Sequence, residues 1–171
     1  MALVAPLADA QASEAAKGIF QNLQSKMGKV LNIFRTLGHA PEILQATLAF
    51  NQGIQKDLDP KLRELAYLKT TQVNQCNYRM HYHKGLGQKA GLSDAQIHDL
   101  DKFEQSTAYN DLEKLVLRFA DQWTRQGKAS PEVVKQLTQK LSPAQMIVLA
   151  GSVGLANWTN RFNETFAVEL P

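Results

Sequence analysis

Apolar residues recur along most of this chain at helical spacing, and no run of alternating apolar and polar residues competes with them. The clearest case is Leu112, Leu115, Val116, Phe119, Ala120 and Trp123, one stripe of a helix that Asn110 and Glu113 can open as a capping box. Ser93 with Gln96, and Ser142-Pro143 with Gln145, repeat that start signal, while Ser130-Pro131 puts proline at a first helical position. The spacing therefore predicts helices starting near 94, 111, 131 and 143. Gly91 and Gly127 are placed to end the preceding helices in a left-handed conformation. Upstream, residues 11–26 are amphipathic through Ala15, Ile19, Phe20 and Leu23. Pro41 opens a helix to about Gln55, and "MGKVLNIFRTL" between them is a connector or a short helix. Asp59-Pro60 caps a helix with Leu62, Leu65, Ala66 and Val73 on one face and Glu64, Tyr67, Leu68 and Thr71 on another. That helix is expected to be covered on two sides, with a carboxylate on the second. The chain reads as all-α.

At 171 residues it suits one domain, with residues 1–10 as a mobile arm. Hydrophobic residues make up 44% and charged residues 20%, which excludes a disordered or fibrous chain. The net charge of +3 comes from basic residues dispersed among acidic ones, so no nucleic-acid footprint is expected. The short apolar run at the N-terminus lacks a positive leader and is broken by Pro6, so it does not read as a secretion signal. From Leu141 to Asn160 there is no charge, but Ser142, Pro143, Gln145, Ser152, Asn157 and Asn160 make this a buried core helix rather than a membrane span. One cysteine cannot form an internal disulfide and suits a reducing compartment, so a cytoplasmic location is expected.

Candidate chemistry concentrates in "NQCNYRMHYHKGLG", residues 74–87. Asn74 as N-cap would put Cys76 in the first turn of a helix, where unpaired backbone N–H groups and the helix dipole favour a thiolate. Arg79 lies three residues on and His83 four beyond it, so Arg79 neighbours both on one face. Cys76 and His83 are roughly 10 Å apart along the axis and do not touch. His81 and Tyr82 point elsewhere, so Cys76, His81 and His83 do not make a zinc site and no metal is expected. The plain alternative is a buried cysteine beside a solvated polar face or an internal ion pair.

Residues 59–97, "DPKLRELAYLKTTQVNQCNYRMHYHKGLGQKAGLSDAQI", resemble the core of the carboxymuconolactone decarboxylase family, in its alkylhydroperoxidase D-like (AhpD-like) branch. That pattern has a glutamate, then twelve residues later the first cysteine of Cys-x-x-Cys-x-x-x-His, then a helix ending in Ala-Gly-Leu-Ser. Glu64, Cys76, His83 and "KAGLSDAQI" stand at the matching places, and "LNIFRTLGHAPEIL" and "NWTNRFNETFAVELP" extend the likeness to most of the chain. The resemblance implies an all-helical fold that assembles as homotrimers or homohexamers. It also implies a catalytic set of Cys76, His83 and Glu64, in which two cysteines cycle between dithiol and disulfide. The second cysteine, which attacks the hydroperoxide in peroxidase members, is here Arg79.

Three functions follow. The first is an antioxidant oxidoreductase with alkylhydroperoxidase or peroxiredoxin-like activity, in which Cys76 reacts alone, His83 and Glu64 relay protons, and an external thiol is the reductant. The second is a decarboxylase-like lyase or isomerase acting on a small carboxylate, with Arg79 and the adjacent Tyr78 binding substrate and His83 as acid or base. The third is a non-catalytic oligomeric binding protein with Glu64, Arg79 and His83 in a buried charge network. None requires a cofactor.

Overall fold

In this computed structural model, which describes residues 1–170, nine α-helices follow one another and there are no strands among the described residues. They are α1 Glu14–Met27, α2 Asn32–Leu37, α3 Pro41–Gly53, α4 Pro60–Val73, α5 Asn77–Lys89, α6 Asp94–His98, α7 Asp111–Gln126, α8 Pro131–Thr138 and α9 Pro143–Phe166. The four expected starts fall at Asp94, Asp111, Pro131 and Pro143. At three of them the reciprocal hydrogen bonds of a capping box form, by Ser93 with Gln96, Asn110 with Glu113 and Ser142 with Gln145. Each satisfies two backbone donors and stabilises its helix by about 1 kcal/mol. Among the described residues no helix is long and apolar enough to cross a membrane.

The chain forms two compact units, one of Met1–Phe50 with the residues from Phe162 onward, the other of Asn51–Arg161. In the first, α1 is capped by the Ser13 hydroxyl, buries Ala16, Phe20 and Leu23, and ends at Gly28 with φ 73°. The end of α2 lies so close that a Cβ on Gly38 would stand 2.5 Å from Phe20 Cζ. Residues 1–10, expected as an arm, are hydrogen-bonded into this unit: Leu3 N–H donates to Phe166 O, Leu7 N–H to Arg35 O, and Arg35 Nη1 to Asp9 Oδ1.

The second unit is built around α4, which packs along α5 and α7. Ten consecutive residues of α4, Leu62–Thr71, are buried. Leu62, Ala66 and Tyr67 join a core with Val116, Ala120, Leu149 and Val153, while Leu65 and Leu68 join Leu92, Leu100, Phe103 and Leu117. A helix covered on both faces has nowhere to send a charged side chain except into a buried network, and α4 carries Arg63, Glu64 and Lys69 in that stretch. Helix α5 approaches α4 closely at Gly87, where a Cβ would meet Leu92 and Leu68 side chains at 2.9 and 3.0 Å.

Candidate functional site

The turn from α4 into α5 sets the position of the motif residues. Asn74, expected as the N-cap of the second helix, is instead the C-cap of the first, and its amide donates to Asn157 Oδ1 at 3.0 Å. Gln75 takes the left-handed conformation (φ 55°), its N–H donates to Gln72 O, and the N–H of Cys76 donates to Thr71 O. This is a Schellman ending, with the left-handed position held by glutamine rather than glycine. Cys76 is therefore not within the first turn of α5 but is its N-cap, buried at 1% exposure, and its side chain makes no capping hydrogen bond. The two-residue shift arises because α4 runs on to Val73 and uses Asn74 to close itself.

From α5, Arg79 and His83 project one turn apart toward the buried face of α4, where Glu64 and Tyr67 are also one turn apart. Arg79 Nη2 lies 2.7 Å from His83 Nε2 and 2.5 Å from the Tyr67 hydroxyl. His83 Nδ1 lies 2.8 Å from Glu64 Oε2, and the Tyr67 hydroxyl 2.6 Å from Thr159 Oγ1. A guanidinium can only donate, so Nε2 must accept and the histidine proton resides on Nδ1, from which it is given to Glu64. His83 is thus neutral and in a single tautomer. Burial pushes its pKa down to about 4, Arg79 pushes the same way, and Glu64 opposes them. Tyr67 also stacks on the imidazole, with ring centres 3.8 Å apart and planes 5° apart.

The arrangement has one basic atom, Nε2 of His83, and one cation, Arg79, held against it. Glu64 and Arg79 do not form the direct ion pair of a closed charge network; His83 stands between them. Arg79 is 9% exposed, and its Nε–H is buried without an acceptor, as is the Nε–H of Arg63, 3.8 Å from Glu64 Oε1. Buried guanidinium hydrogens without acceptors are uncommon and mark a place suited to an anion.

Of the expected site residues, Glu64, Arg79 and His83 meet directly. Cys76 lies one turn before Arg79 at the helix start, and Tyr78 is buried with its ring 5.3 Å from that of Tyr82. His81 is exposed, as its position on the helix predicts. Tyr67 and Thr159 were not anticipated as site residues. A tyrosine one turn from a buried glutamate was a usable signal, since a buried phenol needs a partner. Nothing local pointed to Thr159, 92 residues away. Among the described residues no three His, Cys, Asp or Glu side chains converge as metal ligands. Two clefts, of about 490 Å³ in the first unit and about 460 Å³ in the second, are lined by other residues.

Comparison with known proteins places this fold. A search of curated protein sequences finds no match to the chain. Among solved structures it is similar to the debrominase Bmp8, a cysteine-to-alanine variant in complex with 2,3,4-tribromopyrrole, at 18% identity and a TM-score of 0.82 over 100% of this chain and 92% of that one. It is also similar to an alkylhydroperoxidase AhpD core, an uncharacterized peroxidase-related protein from Ralstonia eutropha, at 17% identity and a TM-score of 0.84 over 99% and 92%. A third likeness is to an uncharacterized peroxidase-related protein from Silicibacter sp., at 19% identity and a TM-score of 0.81 over 98% and 92%. At such identities these likenesses establish the fold. Residues 41–122, which hold Glu64, Tyr67, Cys76, Arg79 and His83, match the carboxymuconolactone decarboxylase family. The family match covers that segment, just under half of the chain, and over nearly its whole length the chain has the AhpD-like helical fold.

Proposed function

We propose that this protein is a small-molecule enzyme that works by proton transfer at His83 on a substrate anchored through Arg79, without a dithiol cycle. The observation that carries this reading is the continuous line Glu64–His83–Arg79, with the guanidinium standing where the family's attacking thiol would be. A guanidinium suits a small carboxylate. When that carboxylate draws Nη2 away, Nε2 of His83 is left as a base facing the substrate, and Glu64 stabilises the imidazolium that forms. Removal of a proton from the carbon next to the carboxylate is the step this arrangement favours, as an isomerase or lyase requires.

The second reading, peroxide reduction by a lone thiol, draws support from Cys76 at the N-cap of a 13-residue helix and from the peroxidase-related folds. In it the thiolate takes one oxygen from the hydroperoxide, releasing the alcohol, and an external thiol reduces the sulfenic acid. One pair of variants separates the two. On small carboxylates, carboxymuconolactone among them, Arg79→Ala should lower kcat/KM by roughly 100-fold or more while Cys76→Ser stays near wild type. The reverse pattern, with mass-spectrometric oxidation of Cys76 by an organic hydroperoxide faster than that of free cysteine, would overturn the acid–base reading.

A further inference from the structure

The Tyr67 hydroxyl joins the two halves of the site, and the direction of every hydrogen bond around it is determined. Arg79 Nη2 has two hydrogens, and both are used, one on His83 Nε2 and one on the Tyr67 oxygen. Because Tyr67 accepts from a group that can only donate, its own proton goes to Thr159 Oγ1. Thr159 must then donate onward, and its hydroxyl lies 2.9 Å from Leu155 O, one turn back on α9. The chain of donors ends on a backbone carbonyl, which cannot pass a proton on. It is therefore an anchor and not a relay.

We propose that Tyr67, backed by Thr159, is the positioning residue that holds Arg79 against His83 and thereby keeps the imidazole as its Nδ1–H tautomer with Nε2 as the basic atom. Both contacts come from one side chain: the ring fixes the imidazole plane by stacking at 3.8 Å, and the hydroxyl fixes the guanidinium. Arg79 would otherwise have a single anchoring bond on a long flexible stem, with its Nε–H unpartnered. The other charged groups acting on His83 are Glu64 and Arg63, both on α4. Thr159, on α9, is uncharged. This inference rests on the reading of His83 as the reacting base but concerns how that base is held.

Tyr67→Phe keeps the ring and removes only the hydroxyl. The test is nitrogen-15 NMR of the imidazole side chains through a pH titration, with His83 assigned by the signal missing from His83→Gln. Wild type should show the Nδ1–H tautomer down to low pH. In Tyr67→Phe, Arg79 is released, the tautomers mix and His83 titrates about one pH unit higher. Thr159→Val should move both in the same direction by less, and it carries the comparison if Tyr67→Phe does not fold. A folded variant with the wild-type tautomer and titration overturns the proposal, whatever its activity. A shifted titration with unchanged turnover upholds the positioning role and instead removes His83 as the reacting base.

Discussion

Two of the buried cations around α4, Lys69 on the helix itself and Arg79 packed against it from α5, are treated differently. Lys69, at 2% exposure, spends all three ammonium hydrogens: on Gln72 Oε1 at 3.0 Å, on Leu100 O at 3.0 Å and on Asp121 Oδ1 at 3.1 Å. Its ammonium also lies 4.8 Å above the Phe103 ring. Arg79 touches no carboxylate in this way; it donates to a neutral imidazole and a phenol, and its Nε–H has no acceptor. The lysine is complete without a ligand, whereas the arginine is not. The open cleft tells the opposite story from what its size suggests. It lies beside Lys69, yet its lining cations are already committed, Arg118 to both oxygens of Glu104 and Arg125 to Asp121. Unused hydrogen-bonding capacity in a buried cation, more than an open cavity, distinguishes a site from a structural network.

The contrast can be broken most directly by removing the lysine. Lys69→Ala leaves Leu100 O and Gln72 without their donor and opens a cavity beside Asp121. It should cost about 4 kcal/mol in urea denaturation, with turnover per folded molecule unchanged. A loss below about 1 kcal/mol would mean that the network around Lys69 is not structural.

The next effect is on pH dependence. An unfolded imidazole takes up a proton near pH 6.5, while His83 resists until about pH 4, chiefly through burial and then through Arg79. Between those values the unfolded chain binds more protons, so stability falls as pH is lowered through that window. The loss from this group is roughly 3 kcal/mol and stops growing below pH 4. His83→Gln should flatten that part of the stability–pH curve, and a curve unchanged by the substitution would place the acid sensitivity elsewhere.

The smallest effect is the most telling. Arg79→Met substitutes an apolar side chain of similar length for an incompletely satisfied cation, and its stability should stay within about 1 kcal/mol of wild type at neutral pH. Activity should nevertheless be lost, and the acid window of His83 should narrow from its low-pH end because one of the causes of its lowered pKa is gone. A large loss of stability would make Arg79 a second Lys69.

Much of the fold was legible because helix starts are local events. Ser93, Asn110, Ser130 and Ser142 each cap a helix with their own hydroxyl or amide, and the first, second and fourth do so with a Gln or Glu three residues on. Arg79 and His83 could also be grouped from spacing alone, being one turn apart on one helix, while Glu64 joined them only through the family resemblance. The turn between those helices was harder. Asn74 can cap the end of one helix or the start of the next, and no short-range rule decides between them; the Schellman bonds to Thr71 and Gln72 do.

The order of the helices, their caps and the one-turn spacing of Arg79 and His83 were thus determined by the sequence itself. The tertiary structure alone decided that Arg79 is held by Tyr67 and Thr159, because that contact depends on how α9 docks against α4. The protonation state of His83 was decided there too: it follows from burial and from which atom faces which, and neither is written in any stretch of neighbouring residues.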